Sequence, residues 1–132
     1  MSIITAFLVA CQAACTTTDP FLSVAKAIMW QESKGDPNAI GDGGRAIGPY
    51  QIHKAYWIDG TRFLGVSWPY SSARDPVKAL AVVRAYTEHY AKPFTPENIA
   101  RVHNGGPHGS RKAATLAYWR KIERIMQQET HR

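Results

Sequence analysis

A chain of 132 residues that is 45% hydrophobic, with four Trp, six Tyr and four Phe, is sized for one domain with one core and is too rich in apolar and aromatic residues for a disordered chain. Its formal charge of +6 favours anionic partners, but the 16 Lys and Arg are scattered along the chain, so neither a basic arm nor specific nucleic-acid recognition is expected. The sequence holds no zinc-finger spacing, phosphate-binding loop or dinucleotide fingerprint, so no metal and no cofactor are expected.

The chain opens on an apolar run from Ile3 to Cys15 that has about the length of a signal-peptide core and is too short to span a bilayer. Within it, Leu8-Val9-Ala10-Cys11 resembles a lipoprotein processing site. No Lys or Arg precedes the run, which argues against a processed signal, and the alternative is an N-terminal helix packed on the domain. Cys11 and Cys15 are the two cysteines; a bond between them would close a very short loop and add little stability. Residues 1–19 are therefore set apart from a single domain over 20–132.

Asp19 and Pro20 predict a helix start, as cap and first helical residue. Val24, Ala27, Ile28 and Gln31 share a stripe that Phe21, Ala25 and Met29 widen, and Glu32 closes the helix ahead of Gly35 and Pro37. Between Gly41 and Gly48 four glycines imply tight turns, with Ala46-Ile47 and Tyr50-Gln51-Ile52 as short strands of a small ribbon. A short helix is expected to end at Tyr56-Trp57, Asp59-Gly60 reads as a turn, and 61–73 reads as a loop. Asp75-Pro76 opens a strong helix with Val77, Leu80, Ala81 and Arg84 at helical spacing beside Val83, Tyr86 and Tyr90, stopping at Pro93. Thr95-Pro96-Glu97 starts a short helix to Val102. A last helix over about 112–128 aligns Thr115, Leu116, Trp119, Ile122 and Met126. The fold class is mainly α (α+β).

Two carboxylates lie in this pattern where a cleft is expected. Hydrolysis of a glycosidic bond uses one protonated carboxyl to give a proton to the leaving oxygen and one ionised carboxylate to stabilise or attack the sugar cation. Glu32 suits the acid role, because the end of an apolar helix beside Met29 and Trp30 would desolvate it and raise its pKa. Asp42, in a polar glycine-rich turn, suits the second role. The plainer readings are a solvent-facing helix carboxylate and a turn aspartate bonding its own backbone, and Asp36 and Asp59 compete for the second role.

Gly48-Pro49-Tyr50-Gln51-Ile52, then Ala55-Tyr56-Trp57-Ile58-Asp59, then His103-Asn104-Gly105-Gly106-Pro107-His108-Gly109 with Thr115 and Tyr118-Trp119, resembles the destabilase, or invertebrate-type, lysozymes over residues 24 to 122. The resemblance implies a lysozyme-like fold, with a helical lobe, a very small ribbon and a cleft between them. It also implies cleavage of the bond between N-acetylmuramic acid and N-acetylglucosamine in peptidoglycan. Glu32 falls on that family's general acid and Asp42 on its second catalytic carboxylate, across a loop of different length. Tyr50, Gln51, Tyr56 and Trp57 become candidates for orienting or packing the cleft, with His103, Asn104 and Gly105 on a loop at its opposite wall. For Trp57 and Trp119 the alternative is core packing. Animal members are dense in disulfides, whereas this chain has none available past residue 15. Helical packing must replace them, which fits a bacterial or phage member. Ser67, Ser71 or Ser72 with His103 would be the candidates for a relative's isopeptidase activity, but none sits in a nucleophile-elbow signature.

Glu32-Ser33 followed by Gly48-Pro49-Tyr50-Gln51 also resembles the lytic transglycosylases, which need one acid only. A non-catalytic wall-binding module is the other rival, since its aromatics and charge would serve with Glu32 silent. The partners expected are peptidoglycan glycan strands and anionic cell-surface polymers, met by a monomer without a transmembrane span. Secretion, a periplasmic or cell-wall-directed location, a lipid-bearing Cys11 and a phage lysis protein are the settings this reading allows.

Overall fold

The computed structural model describes residues 19–130, so the apolar run, Cys11 and the processing expectations attached to them lie outside the described residues. Five helices, α1 (Phe21–Ser33), α2 (Lys54–Leu64), α3 (Pro76–Tyr90), α4 (Pro96–Gly105) and α5 (Thr115–Thr130), surround one core. A three-stranded antiparallel sheet of β1 (Ile40–Gly41), β2 (Ala46–Ile47) and β3 (Ile52–His53), in the order β1-β2-β3, lies between α1 and α2 in sequence. None of the described helices is long and apolar enough to cross a membrane.

The first helix forms as its sequence predicts. Asp19 Oδ1 accepts the Phe21 N–H at 3.0 Å, which satisfies one of the unpaired donors of a helix start. Phe21, Val24, Ala25, Ala27 and Ile28 are buried, and α1 packs on α3, α4 and α5. Lys34 then takes a left-handed conformation, φ 55°, and its N–H bonds the Trp30 carbonyl, so the helix stops one residue past Ser33. Ser33 ties this end to the sheet region, donating its hydroxyl to the Pro49 carbonyl at 2.7 Å.

The ribbon differs from expectation in its pairing. Ile40↔Ile47 and Ala46↔His53 are matched pairs, so Ile40–Gly41 adds a strand, while Tyr50 and Gln51 fall in the turn that begins at Gly48. Gly48 is required there. Its φ is +82°, and a Cβ would stand 2.0 Å from the Ala73 carbonyl oxygen.

Asp59-Gly60 is not a turn. Both lie inside α2, which runs on to Leu64 and ends at Gly65 in the left-handed conformation. The glycine answers to packing instead, because a Cβ at Gly60 would meet Val82 Cγ1 at 2.5 Å where α2 crosses α3. Gly60→Ala is expected to force the two helices apart and cost about 1–3 kcal/mol, measured by chemical unfolding; unchanged stability would mean the contact relaxes freely.

In α3 the buried face is Ala79, Val82, Val83, Tyr86 and Thr87, whereas Val77 is 78% exposed. Val77 belongs to the first turn, its N–H taken by the Asp75 cap at 2.9 Å. Helix α4 continues to Gly105, past the expected end at Val102. Buried Arg101 explains the extension: it bonds Thr115 Oγ1 at 2.9 Å, the Lys112 carbonyl at 3.0 Å and Glu97 at 3.1 Å, clamping α4 to the start of α5. His103, Asn104 and Gly105 are thereby helical, not part of a loop.

Candidate active site

Glu32 sits on the last turn of α1, where the reversal at Lys34 and Gly35 opens a polar hollow of about 380 Å³. The same hollow is lined by Asp42, Ala46, Gln51, His53, His103 and Asn104. Residues from α1, the ribbon and α4 thus meet in one cleft between the helical lobe and the sheet.

Glu32 is half-buried, and desolvation raises its pKa above the usual carboxylate value; the Tyr118 hydroxyl, donating to Oε1 at 2.8 Å, and the nearby His53 oppose that rise. Tyr118 reaches the site from α5, and its own pKa is pushed well up by burial and by Glu32. The resemblance included Tyr118 in its motif but gave it no role. Its signal is spacing, since Thr115, Tyr118 and Ile122 follow one another at helical intervals, and Thr115 and Ile122 are the buried residues of α5.

Asp42 begins a short 3-10 turn, at φ 51°, in a region that non-glycine residues rarely visit. Both of its carboxylate oxygens are held. Arg45 Nη2 lies 3.1 Å from Oδ1 and His53 Nε2 lies 3.1 Å from Oδ2. His53 is a further cleft residue that sequence reasoning missed; strand alternation after buried Ile52 turns it toward the cleft.

His103 is buried between the Tyr50 carbonyl, 3.0 Å from Nε2, and the Tyr56 hydroxyl, 3.0 Å from Nδ1. A carbonyl only accepts, so Nε2 carries the proton and Nδ1 takes the Tyr56 O–H, which is the neutral imidazole. Desolvation, with His53 adding to it, lowers the His103 pKa to about 4, against the opposing hydrogen bond to Tyr50. A histidine with a depressed folded pKa contributes stability that is complete above its unfolded value of 6.5 and is lost as pH falls through about 4. The stability gap between the parent and His103→Asn is therefore expected to narrow by up to about 3 kcal/mol between neutral pH and pH 4, read by urea unfolding. A constant gap would show that the imidazole titrates normally. With both nitrogens engaged inside the protein, His103 has no free nitrogen to activate a serine.

The remaining expected contacts divide. Gln51, also left-handed at φ 52°, lines the cleft, but its amide N–H groups brace the Ala39 and Gly48 carbonyls at 3.0 and 2.9 Å. Asn104 is exposed on the cleft wall. Tyr50, Trp57 and Gly105 do not line this hollow. Trp57 is 2% exposed in the core, its indole N–H bonded to the Trp68 carbonyl at 2.9 Å, and it acts as packing. At Gly105 a Cβ would meet Thr115 Cγ2 at 2.5 Å, so that glycine serves the α4–α5 contact. Another hollow of about 380 Å³, between Thr95-Pro96 and Trp119-Met126, is mainly apolar, and its Glu97 is paired with Arg101. Among the described residues no three His, Cys, Asp or Glu side chains gather as metal ligands.

In sequence and fold the chain is similar to known lysozymes. The transglycosylase SLT domain model matches residues 11–126. A lysozyme of Meretrix lusoria is 41% identical over 87 residues, 63% of this chain and 70% of that protein. An invertebrate-type lysozyme of Ruditapes philippinarum is 35% identical over 86 residues, 63% of this chain and 62% of the relative, so the chain spans under two thirds of that protein's length. The crystal structure of Tapes japonica lysozyme superposes with a TM-score of 0.68 at 28% identity, covering 79% of this chain and 89% of that one.

Proposed function

The chain belongs to the invertebrate-type lysozymes, within the lysozyme-like group that the SLT domain describes, and on that footing we propose that it is a muramidase cleaving the β-1,4 bond between N-acetylmuramic acid and N-acetylglucosamine. The observation that carries the reading is one polar cleft lined by two carboxylates in unlike settings. Glu32 is desolvated and holds its proton more tightly than a free glutamic acid, while Asp42 is held by two basic side chains.

The roles follow from those settings. Glu32 gives its proton to the bridging oxygen as the bond breaks, and Tyr118 fixes the carboxyl in place by holding Oε1. Asp42, steadied by Arg45 and His53, sets its negative charge against the sugar cation that develops. A water then completes hydrolysis. Gln51 and the His103–Tyr56 pair keep the cleft walls in register, and Asn104 faces the glycan. The glycan strands of peptidoglycan are the partner, which makes the protein cell-wall-directed. Its net charge of +6 would concentrate it on anionic wall polymers.

A lytic transglycosylase is the second reading, favoured by the SLT match and by the desolvation that raises the Glu32 pKa, since that chemistry needs one acid only. Mass analysis of purified peptidoglycan after digestion separates the two. Hydrolysis leaves a reducing muramic acid end, heavier by one water than the 1,6-anhydro end of transglycosylation. Anhydro products alone would replace the muramidase reading with the second.

A further inference from the structure

Packing within its own turn does not fix the Asp42 side chain. The carboxylate is half exposed on a residue at φ 51°, and a Cβ on either of the next two positions, Gly43 and Gly44, would meet no atom within 4 Å beyond its chain neighbours. Its orientation therefore rests on two cations. Arg45 holds Oδ1 at 3.1 Å, but it belongs to the same turn, where its Nε also bonds the Asp42 carbonyl at 3.1 Å, and its side chain is 75% exposed.

His53 comes from a different strand. The pairs Gly41↔Ala46 and Ala46↔His53 set it in line across the sheet with Gly41, the residue before Asp42. Among the described residues it is the one side chain from outside the turn that reaches the Asp42 carboxylate, with Nε2 3.1 Å from Oδ2. The backbone beneath is braced as well, since the Tyr70 hydroxyl lies 2.6 Å from the Ile52 carbonyl and 3.2 Å from that of Arg45. Turn and strand are thus pinned together where the two cations reach out.

His53 also faces the other acid. It lines the cleft with Glu32, and its charge opposes the rise that burial gives the Glu32 pKa. The remaining titratable groups around it bring no charge. His103, from α4, is neutral with its pKa lowered to about 4, and Tyr56 and Tyr86, from α2 and α3, keep their protons because burial raises both. Lys54, next along the chain, forms no ion pair among the described residues. We infer that His53 is a positioning residue for the reaction, its imidazolium anchoring the Asp42 carboxylate to the sheet and setting a positive charge opposite Glu32, so that one protonation governs both acids. The inference rests on the two-carboxylate reading and adds its regulation by pH.

The test is steady-state kinetics on soluble peptidoglycan fragments across pH, with His53→Gln, which removes the charge, and His53→Lys, which keeps one. His53→Gln is expected to lower kcat by about 10-fold with KM near the parent's. It should also move the alkaline limb of kcat/KM to higher pH, because Glu32 loses a cation that favours its ionised form. His53→Lys should restore most of kcat and return the limb toward the parent's. Added to Asp42→Asn, His53→Gln should cost no further kcat, since the carboxylate it anchors is gone. Thermal unfolding of His53→Gln should match the parent's, because a pair this exposed adds little stability. A kcat unchanged by His53→Gln, the same loss in the Asp42→Asn protein, an unmoved limb, or no rescue by His53→Lys overturns the inference and leaves the muramidase reading standing. Near-full turnover by Asp42→Asn alone overturns that reading and the inference with it.

Discussion

Glu32→Gln is expected to reduce lysis of peptidoglycan suspensions by on the order of a thousandfold, because it removes the transferable proton, while leaving the fold and glycan binding intact. The amide oxygen can still accept the Tyr118 hydroxyl, which in the parent lies 2.8 Å from Oε1. The same substitution should raise stability at neutral pH. A carboxyl whose folded pKa is raised contributes fully below its unfolded value and loses that contribution as pH rises through its folded value, so an ionised Glu32 costs stability. The gain from Glu32→Gln should therefore be present at pH 7, shrink as pH falls through the glutamate range and vanish at about pH 3, where glutamic acid is protonated in both states. Thermal unfolding at the two pH values reads this directly. A variant that is inactive but no more stable at neutral pH would mean that Glu32 is solvated in the free protein and is tuned only once substrate binds.

Asp42→Asn is the companion result, expected to lower turnover by about 10²–10³-fold with little change in stability, since the side chain is half exposed and its pairs with Arg45 and His53 are surface pairs. The carboxamide keeps the shape and loses the charge, so the loss would report electrostatic support of the sugar cation. Near-full turnover with anhydro products would assign the chemistry to Glu32 alone. The two variants thus divide the candidate mechanisms between them.

Much of this was readable in the chain because it depends on neighbours in sequence. Asp19, Asp75 and Thr95 each accept a backbone N–H at a helix start, and the left-handed Lys34 with Gly35 ends α1 directly after Glu32-Ser33. The apolar spacing of α1 names its buried residues almost without error. Where local rules misled, a distant contact had taken over. Gly60 looks like a turn residue until Val82 is set against it, and the end of α4 looks like a loop until Arg101 is bonded to Thr115 and Lys112. Trp57 is one of the aromatic residues in the motif that resembles the family, and its burial against Trp68 reflects packing that spacing cannot reveal.

The sequence by itself determined a helical chain with a glycine-rich ribbon, one acid at a helix end and another in a polar turn, and a family resemblance that the comparisons bear out. Only the tertiary structure decided which side chains surround those acids. Tyr118 reaches Glu32 from 86 positions away, and His53 crosses the ribbon to Asp42. Caps and periodicity are set by interactions within a few residues, so a linear reading captures them. Desolvation and the orientation of a hydroxyl depend on what the folded chain brings from elsewhere, and those are the quantities that set the chemistry of this cleft.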